Sequence, residues 1–276
     1  MSERVALSIA DHVATVTLTR PEKHNALDGA MFQAIAAAAE EVAATAGVRV
    51  VVLRGDGPSF CSGLDVASFM SGEGPVSMEG LLERKDGGRS VNLAQRVCTA
   101  WIDLPVPVIA VLHGNVLGGG LQIALGADIR IAAPDAKLSI MEAKWGLVPD
   151  MGITATLPRL VRSDVARLLT YTARVVCAAE AVSLGLVTRT AEDPHAAALE
   201  LAREIASRSP DAVRAAKRLY DAAWPDPGDA ALALETELQV GLLGSPNQIA
   251  AVTAGMTRQP GEFTDPAPAG AQPVTA

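Results

Sequence analysis

Aromatic side chains make up only 3% of the 276 residues, and 23 lysines and arginines face 31 aspartates and glutamates, a formal charge of −8. So acidic a chain has no basic face to track phosphates, and so few rings give no platform for stacked bases; nucleic acid does not fit as a partner. Cysteine is scarce too. Cys61, Cys98 and Cys177 stand singly, without CxxC spacing, which suits a reducing, cytoplasmic setting with three packing thiols better than a disulfide scaffold. No apolar run reaches the length of a membrane span, and Met1 to Arg4 lead into alternating residues, not into a signal-peptide core. No His, Cys and carboxylate grouping has metal-ligand spacing, and His24 and His113 lack a Ser or Cys partner in triad spacing; both read as structural. Apolar residues are plentiful at 49%, enough for a sizeable core in one large domain or a domain with a subdomain.

The pattern along the chain predicts strands and helices in alternation. Val5 to Ile9 and Val13 to Thr19 alternate about Asp11-His12, the signature of a hairpin. Asp28 stands where it can cap a long helix carrying Met31, Phe32, Ile35 and Val42, and Val48 to Arg54 is a buried strand. From Phe69 to Ser90 periodicity is lost among glycines, which predicts a surface excursion holding a short helix. Val91 to Leu104 is helical, as are Ile153 to Val161, Val165 to Tyr171, Ala178 to Leu184 and most of the chain after Pro194. Pro266 to Ala276 has the composition of a disordered tail.

Two segments carry the chemistry. Val108 to Leu112 reads as a buried strand, and Gly118, Gly119 and Gly120 follow it at the head of a helix, where a chain without Cβ atoms turns sharply and bares N–H groups. Ser59 to Val66 is a second small-residue passage from strand to helix with free amides. Glu142 and Asp150 lie downstream of the glycines. Such a nest suits an anion or oxyanion, and the carboxylates suit proton transfer. Glu142 beside Lys144 also fits a surface ion pair, and Asp150 before Ile153 also fits a helix cap.

With these segments in register, the sequence resembles the crotonase superfamily, the enoyl-CoA hydratase/isomerase family. The resemblance runs from Thr19-Arg20-Pro21 and Asn25-Ala26-Leu27 through Phe60 to Asp65, His113-Gly114 to Asp128, Glu142, Gly146, Pro149 and Gly152 to Pro260-Gly261-Glu262-Phe263. It implies an α/β fold, a spiral of β/β/α units over residues 1–200, with a helical C-terminal region at 201–265 that builds trimers or dimers of trimers. It implies an acyl-CoA substrate and no separate cofactor, since CoA is part of the substrate. The thioester oxygen would sit between the N–H groups of Leu64 and Gly119. Asn25, Ala26, Leu27, Ser62, Leu64, Asp65, Val66, Ala67, Gly119 and Gln122 would line the ligand, with Lys23, Arg84 or Arg258 near its phosphates. The family's hydratases have a glutamate two residues after the glycine run and another at the position of Glu142. Here the first is Gln122, an amide that takes no proton. Glu142 and Asp150 match the acid pair of the dienoyl-CoA isomerases, so the resemblance favours a double-bond shift in fatty-acid-type breakdown. Hydration of a 2-enoyl-CoA and an inert acyl-CoA-binding protein are the alternatives.

Overall fold

In a computed structural model, residues 4–72, 74–84, 91–224 and 228–268 are described. The hairpin forms as expected: β1 (Val5–Ala10) and β2 (Val13–Leu18) pair antiparallel, with Asp11 and His12 both at positive φ between them. Two left-handed residues make the turn whose twist matches that of the strands. β3 (Val50–Gly55), β4 (Val108–Leu112), β6 (Ile129–Ala132) and β9 (Arg189–Thr190) then add in that order, each parallel to the one before. β4 is buried at every position, which is why it reads as a continuous apolar run.

A second stack lies beside this sheet. β5 (Asn115–Leu117) is parallel to β7 (Lys137–Ser139), and β8 (Val176–Cys177) is antiparallel to β7. Single parallel bridges, Leu27 to Leu64 and Cys61 to Val116, continue it. Thus β2, β3, β4 and β6 are each followed by a rung of the second stack, a spiral of β/β/α turns. Strands as short as β5 and β8 hold too few residues for alternation to register, so the sequence did not reveal them.

Twelve α-helices complete the described residues: α1 (Gly29–Ala44), α2 (Val66–Ser71), α3 (Met78–Leu82), α4 (Leu93–Asp103), α5 (Gly119–Leu125), α6 (Ile153–Thr156), α7 (Ser163–Thr172), α8 (Ala178–Leu184), α9 (Pro194–Ala206), α10 (Pro210–Ala223), α11 (Asp229–Leu242) and α12 (Pro246–Thr257). Asp28 caps α1 as expected, its Oδ1 accepting from Met31 N at 2.8 Å. None of the helices is long and apolar enough to cross a membrane.

Four expectations need correction. The helix expected over Ile153 to Val161 stops as α6 and passes into a 3-10 turn at Leu157–Arg159, where Pro158 has no N–H to continue the ladder. The division expected at residue 200 falls inside α9, whose Ala198, Ala202 and Ala206 pack on Val50, Val52, Ile109 and Ile131 of the large sheet. The spiral therefore extends through Ala206. Finally, the chain just before and after Pro266 is tied down: Arg49 bonds Asp265 and the Phe263 carbonyl, and Arg214 donates to Ala267 O. The rest of the expected tail, 269–276, lies outside the described residues, as do Glu73 and residues 85–90 of the expected excursion. Cys61 and Cys98 are buried, whereas Cys177 is exposed and is not a packing thiol.

Candidate active site

The loop 20–28 and the segment 59–65 are locked together by buried polar groups. Arg20, 8% exposed, reaches Asp65 Oδ2 at 2.7 Å, Asp28 Oδ2 at 3.6 Å and the Ala26 carbonyl at 3.0 Å. Asp65 also caps α2 by accepting from Ser68 N; burial pushes its carboxyl up, but Arg20 and the Ser68 amide outweigh it and hold it below the usual range. Asn25 is fully buried, accepting from Arg20 N at 2.8 Å and donating to the carbonyls of Asp56 (2.9 Å) and Ser59 (2.8 Å). Removing it strands those partners, and Asn25→Ala is expected to cost about 1–3 kcal/mol of stability, seen as a lower denaturant midpoint at unchanged slope.

This framework aims one amide. Leu27 N donates to Gly63 O and Asp65 N to Leu27 O, so in the alternating pattern of a parallel pair the intervening Leu64 N–H points away from Leu27. On that other side lies the glycine turn. Gly118 takes φ 51° and ψ −122°, a conformation for glycine alone, and donates its own N–H to Ser139 O. Gly119 then opens α5. Neither Leu64 N–H nor Gly119 N–H meets an acceptor among the described residues. Gly63, the residue before Leu64, lies against the second: a Cβ built on it would stand 3.7 Å from Gly119 N.

The acids gather beside this point. Glu142 begins a 3-10 turn, Glu142–Trp145, with its Oε1 3.5 Å from where a Gly118 Cβ would be. Gln122, one turn into α5 and 1% exposed, donates from Nε2 to Glu142 Oε1 at 2.6 Å and accepts at Oε1 from Met151 N at 3.0 Å. Glu142 Oε2 is buried and has no partner among the described residues. Asp150, next to Met151, is exposed, yet its charge bears on Glu142. Asp150 does not cap α6, whose cap position is Gly152. Met151 packs on the nest, for a Cβ on Gly119 would meet its sulfur at 2.6 Å.

Burial is the main influence on Glu142 and raises its pKa above the ordinary glutamate value; the backbone amides of Glu142 and Met141 and the Gln122 side chain oppose this, and the charge of Asp150 adds to it. A carboxyl whose folded-state pKa is raised contributes stability below its unfolded pKa, and that contribution is lost as pH rises through the folded value. Glu142→Gln is therefore expected to melt higher than wild type at neutral pH and to lose the advantage in acid, read as Tm against pH. The nearby thiols are inert, with burial pushing Cys61 up to about 12 and Cys98 well above the usual thiol range.

Of the residues expected at the site, Leu64 follows Gly63, which lies against Gly119, Glu142 lies against Gly118, and the charge of Asp150 reaches Glu142. Val66 and Ala67 are exposed on the first turn of α2, and Ser62 is half-buried next to Lys23. Arg84 and Arg258 are both exposed, Arg258 just past the end of α12. The side chains of Asn25 and Leu27 are fully buried, Leu27 against Gly119, Asp65 bonds Arg20 and caps its helix, and Gln122 is engaged at both ends of its amide within the protein. Sequence reasoning missed that Arg20 organises the site; its only mark was an arginine before a proline. His24 and His113 are structural, bonding Ser59 Oγ and the Gly57 carbonyl. Among the described residues no three ligating side chains cluster for a metal. Two cavities, of about 690 and 490 Å³, lie under α10 with neither acid in their walls, so polar convergence rather than volume marks the site.

The profile described as enoyl-CoA hydratase/isomerase matches residues 8–260. The chain belongs to the enoyl-CoA hydratase/isomerase family. Among relatives, the Bacillus subtilis protein YngF, whose name gives it to enoyl-CoA hydratase/isomerase, is 36% identical over 84% of this chain and 83% of its own length. The mouse mitochondrial Δ3,5-Δ2,4-dienoyl-CoA isomerase is 33% identical over 76% of this chain and 66% of its own. A crystal structure of the enoyl-CoA hydratase from Bacillus anthracis superposes with a TM-score of 0.85 at 29% identity, covering 94% of this chain and 98% of that one. Both activities thus occur among the names in this family.

Proposed function

We propose that this enzyme binds an acyl-CoA thioester and shifts a double bond within its acyl group, with an enoyl-CoA or a dienoyl-CoA as substrate. The observation that carries the reading is the occupancy around Glu142: one oxygen faces a buried amide, Gln122, and the other is buried and unpartnered. An amide does not titrate and cannot share the activation of a water, whereas a single buried carboxylate suffices to move a proton between carbons. The thioester oxygen sits between the N–H groups of Leu64 and Gly119. Glu142 Oε2 takes a proton from the carbon beside the double bond, and the electron pair moves through the conjugated carbons onto that oxygen, where the two amides hold the charge. Asp150, or the protonated Glu142 itself, returns a proton further along the chain, and the electron pair comes back as the shifted double bond. No separate cofactor takes part.

Exposed Trp145, Leu147 and Val148 follow Glu142 and suit an apolar acyl group. α11, which buries no side chain, and exposed Ile249, Val252 and Met256 of α12 suit packing against further copies in a trimer or dimer of trimers. A cytoplasmic location agrees with the unpaired thiols. The second reading, hydration of a 2-enoyl-CoA, is favoured by the relatives that carry that name. A side-by-side assay of 2-enoyl-, 3-enoyl- and 3,5-dienoyl-CoA tests the proposal. Gain of conjugated-thioester absorbance from the 3-enoyl substrate, or turnover of the 3,5-diene, is expected; rapid loss of that absorbance from the 2-enoyl substrate alone would assign hydration.

A further inference from the structure

We infer that Gln122 is the positioning residue that sets the two acids against each other and reserves Glu142 for proton transfer between carbons. The inference rests on the proposed double-bond shift. Its basis is that one side chain spans both acid-bearing loops. The Met151 N–H donates to Gln122 Oε1 at 3.0 Å, which fixes the amide's orientation, since an amide nitrogen cannot accept there. Gln122 Nε2 therefore always faces Glu142 and donates to its Oε1, at 2.6 Å. Asp150 is the residue before Met151, so the same amide ties the backbone carrying Asp150 to the carboxyl of Glu142. With Oε1 held, the unpartnered Oε2 is the one oxygen left to meet a substrate. A glutamine here is thus more than a missing acid. It supplies a donor that no change of pH removes, and it closes the place where a second carboxylate would hold water.

The other titratable groups around Glu142 are Asp150 from the loop before α6 and the buried thiol of Cys98 on α4, with Cys61 behind it; Lys144 is exposed and lies over the Trp145 ring. None of them donates to Oε1. Two substitutions of nearly equal size separate positioning from mere filling of space. Gln122→Met leaves both loops without their link. It is expected to lower kcat about 10- to 100-fold with KM within twofold of wild type, and to move the acid limb of the kcat–pH profile upward, because the one side-chain donor favouring the ionised carboxylate is gone and only the Glu142 and Met141 amides remain. Gln122→Glu keeps an acceptor for Met151 N–H, and while protonated the introduced carboxyl still donates to Glu142. As it ionises, two carboxylates meet at hydrogen-bond distance and repel. This variant is expected to isomerise at low pH, to acquire an alkaline limb that wild type lacks, and to gain at least tenfold in hydration relative to isomerisation. Carbon-13 NMR of glutamate carboxyls in the substrate-free protein supplies a readout independent of turnover: the Glu142 titration should move upward in Gln122→Met. If that titration and the acid limb both stay at their wild-type positions and Gln122→Glu shows no alkaline limb, while the variants only melt lower, Gln122 is a packing residue and the inference is overturned. If wild type turns over neither substrate class but the Glu142 titration still moves in Gln122→Met, the proposed reaction fails and the positioning role stands.

Discussion

Replacing Glu142 by glutamine is expected to lower turnover of the 3-enoyl- or 3,5-dienoyl-CoA substrate about 10²- to 10⁴-fold, while affinity for the CoA product stays within about twofold of wild type. The size of the effect follows from the geometry. Glu142 keeps one buried, unpartnered oxygen, Oε2, while its Oε1 stands beside the glycine turn, so no neighbouring carboxylate replaces it there. Asp150→Asn should fall less steeply if protonated Glu142 can itself return the proton, and as steeply if it cannot. The two variants together identify the acid. Steady-state kinetics with product-inhibition constants are the check, and full activity in both variants would remove the mechanism. Loss of activity in Glu142→Gln should also come with the higher Tm at neutral pH described above, a combination that simple misfolding does not produce.

The second large effect concerns the oxyanion site. Gly63 has φ 90°, and a Cβ there would stand 2.8 Å from the Leu117 carbonyl oxygen. Gly63→Ala therefore meets both backbone strain and a collision with backbone, and relief requires the Leu64 and Gly119 amides to move apart. Loss of one well-aimed donor costs about 10²- to 10³-fold in kcat, and the strain about 1–3 kcal/mol of stability. Gly244→Ala is the control. Gly244 has φ 75° with nothing within 4 Å of its would-be Cβ, so it pays for conformation without a clash and should melt lower at wild-type kcat. Equal kinetic losses in the two variants would mean that Gly63 contributes stability and not donor placement.

Much of this was legible in the residues, because the relevant signals are local. A β-branched run followed by three glycines predicts a strand, a sharp turn and bare amides, and β4 with the Gly118 turn is what formed. Asp28 before an amphipathic stretch predicts a capped helix for the same reason. What stayed hidden depends on contacts far apart in sequence. Asn25 and Asp65 look like ligand-binding polar residues in a small-residue loop. Only the fold brings Arg20 and residues 56–59 onto them and spends their hydrogen-bonding capacity inside the protein. From the residues alone Gln122 reads as an altered acid facing the ligand; the fold places Met151 N–H on its oxygen. What ties α9 to the spiral, and sets it apart from the helices after Pro210, is the sheet it covers, a contact no local pattern shows.

The claim beneath the rest is that the Leu64 and Gly119 amides converge on one carbonyl oxygen. Difference infrared spectroscopy of a carbon-13-labelled, saturated acyl-CoA bound to the protein reads that convergence without any turnover. The account predicts a thioester carbonyl stretch at clearly lower frequency when bound than when free, unchanged in Glu142→Gln and returning toward the free value in Gly63→Ala. A bound ligand whose carbonyl stretch matches that in water, in wild type and both variants alike, would contradict it.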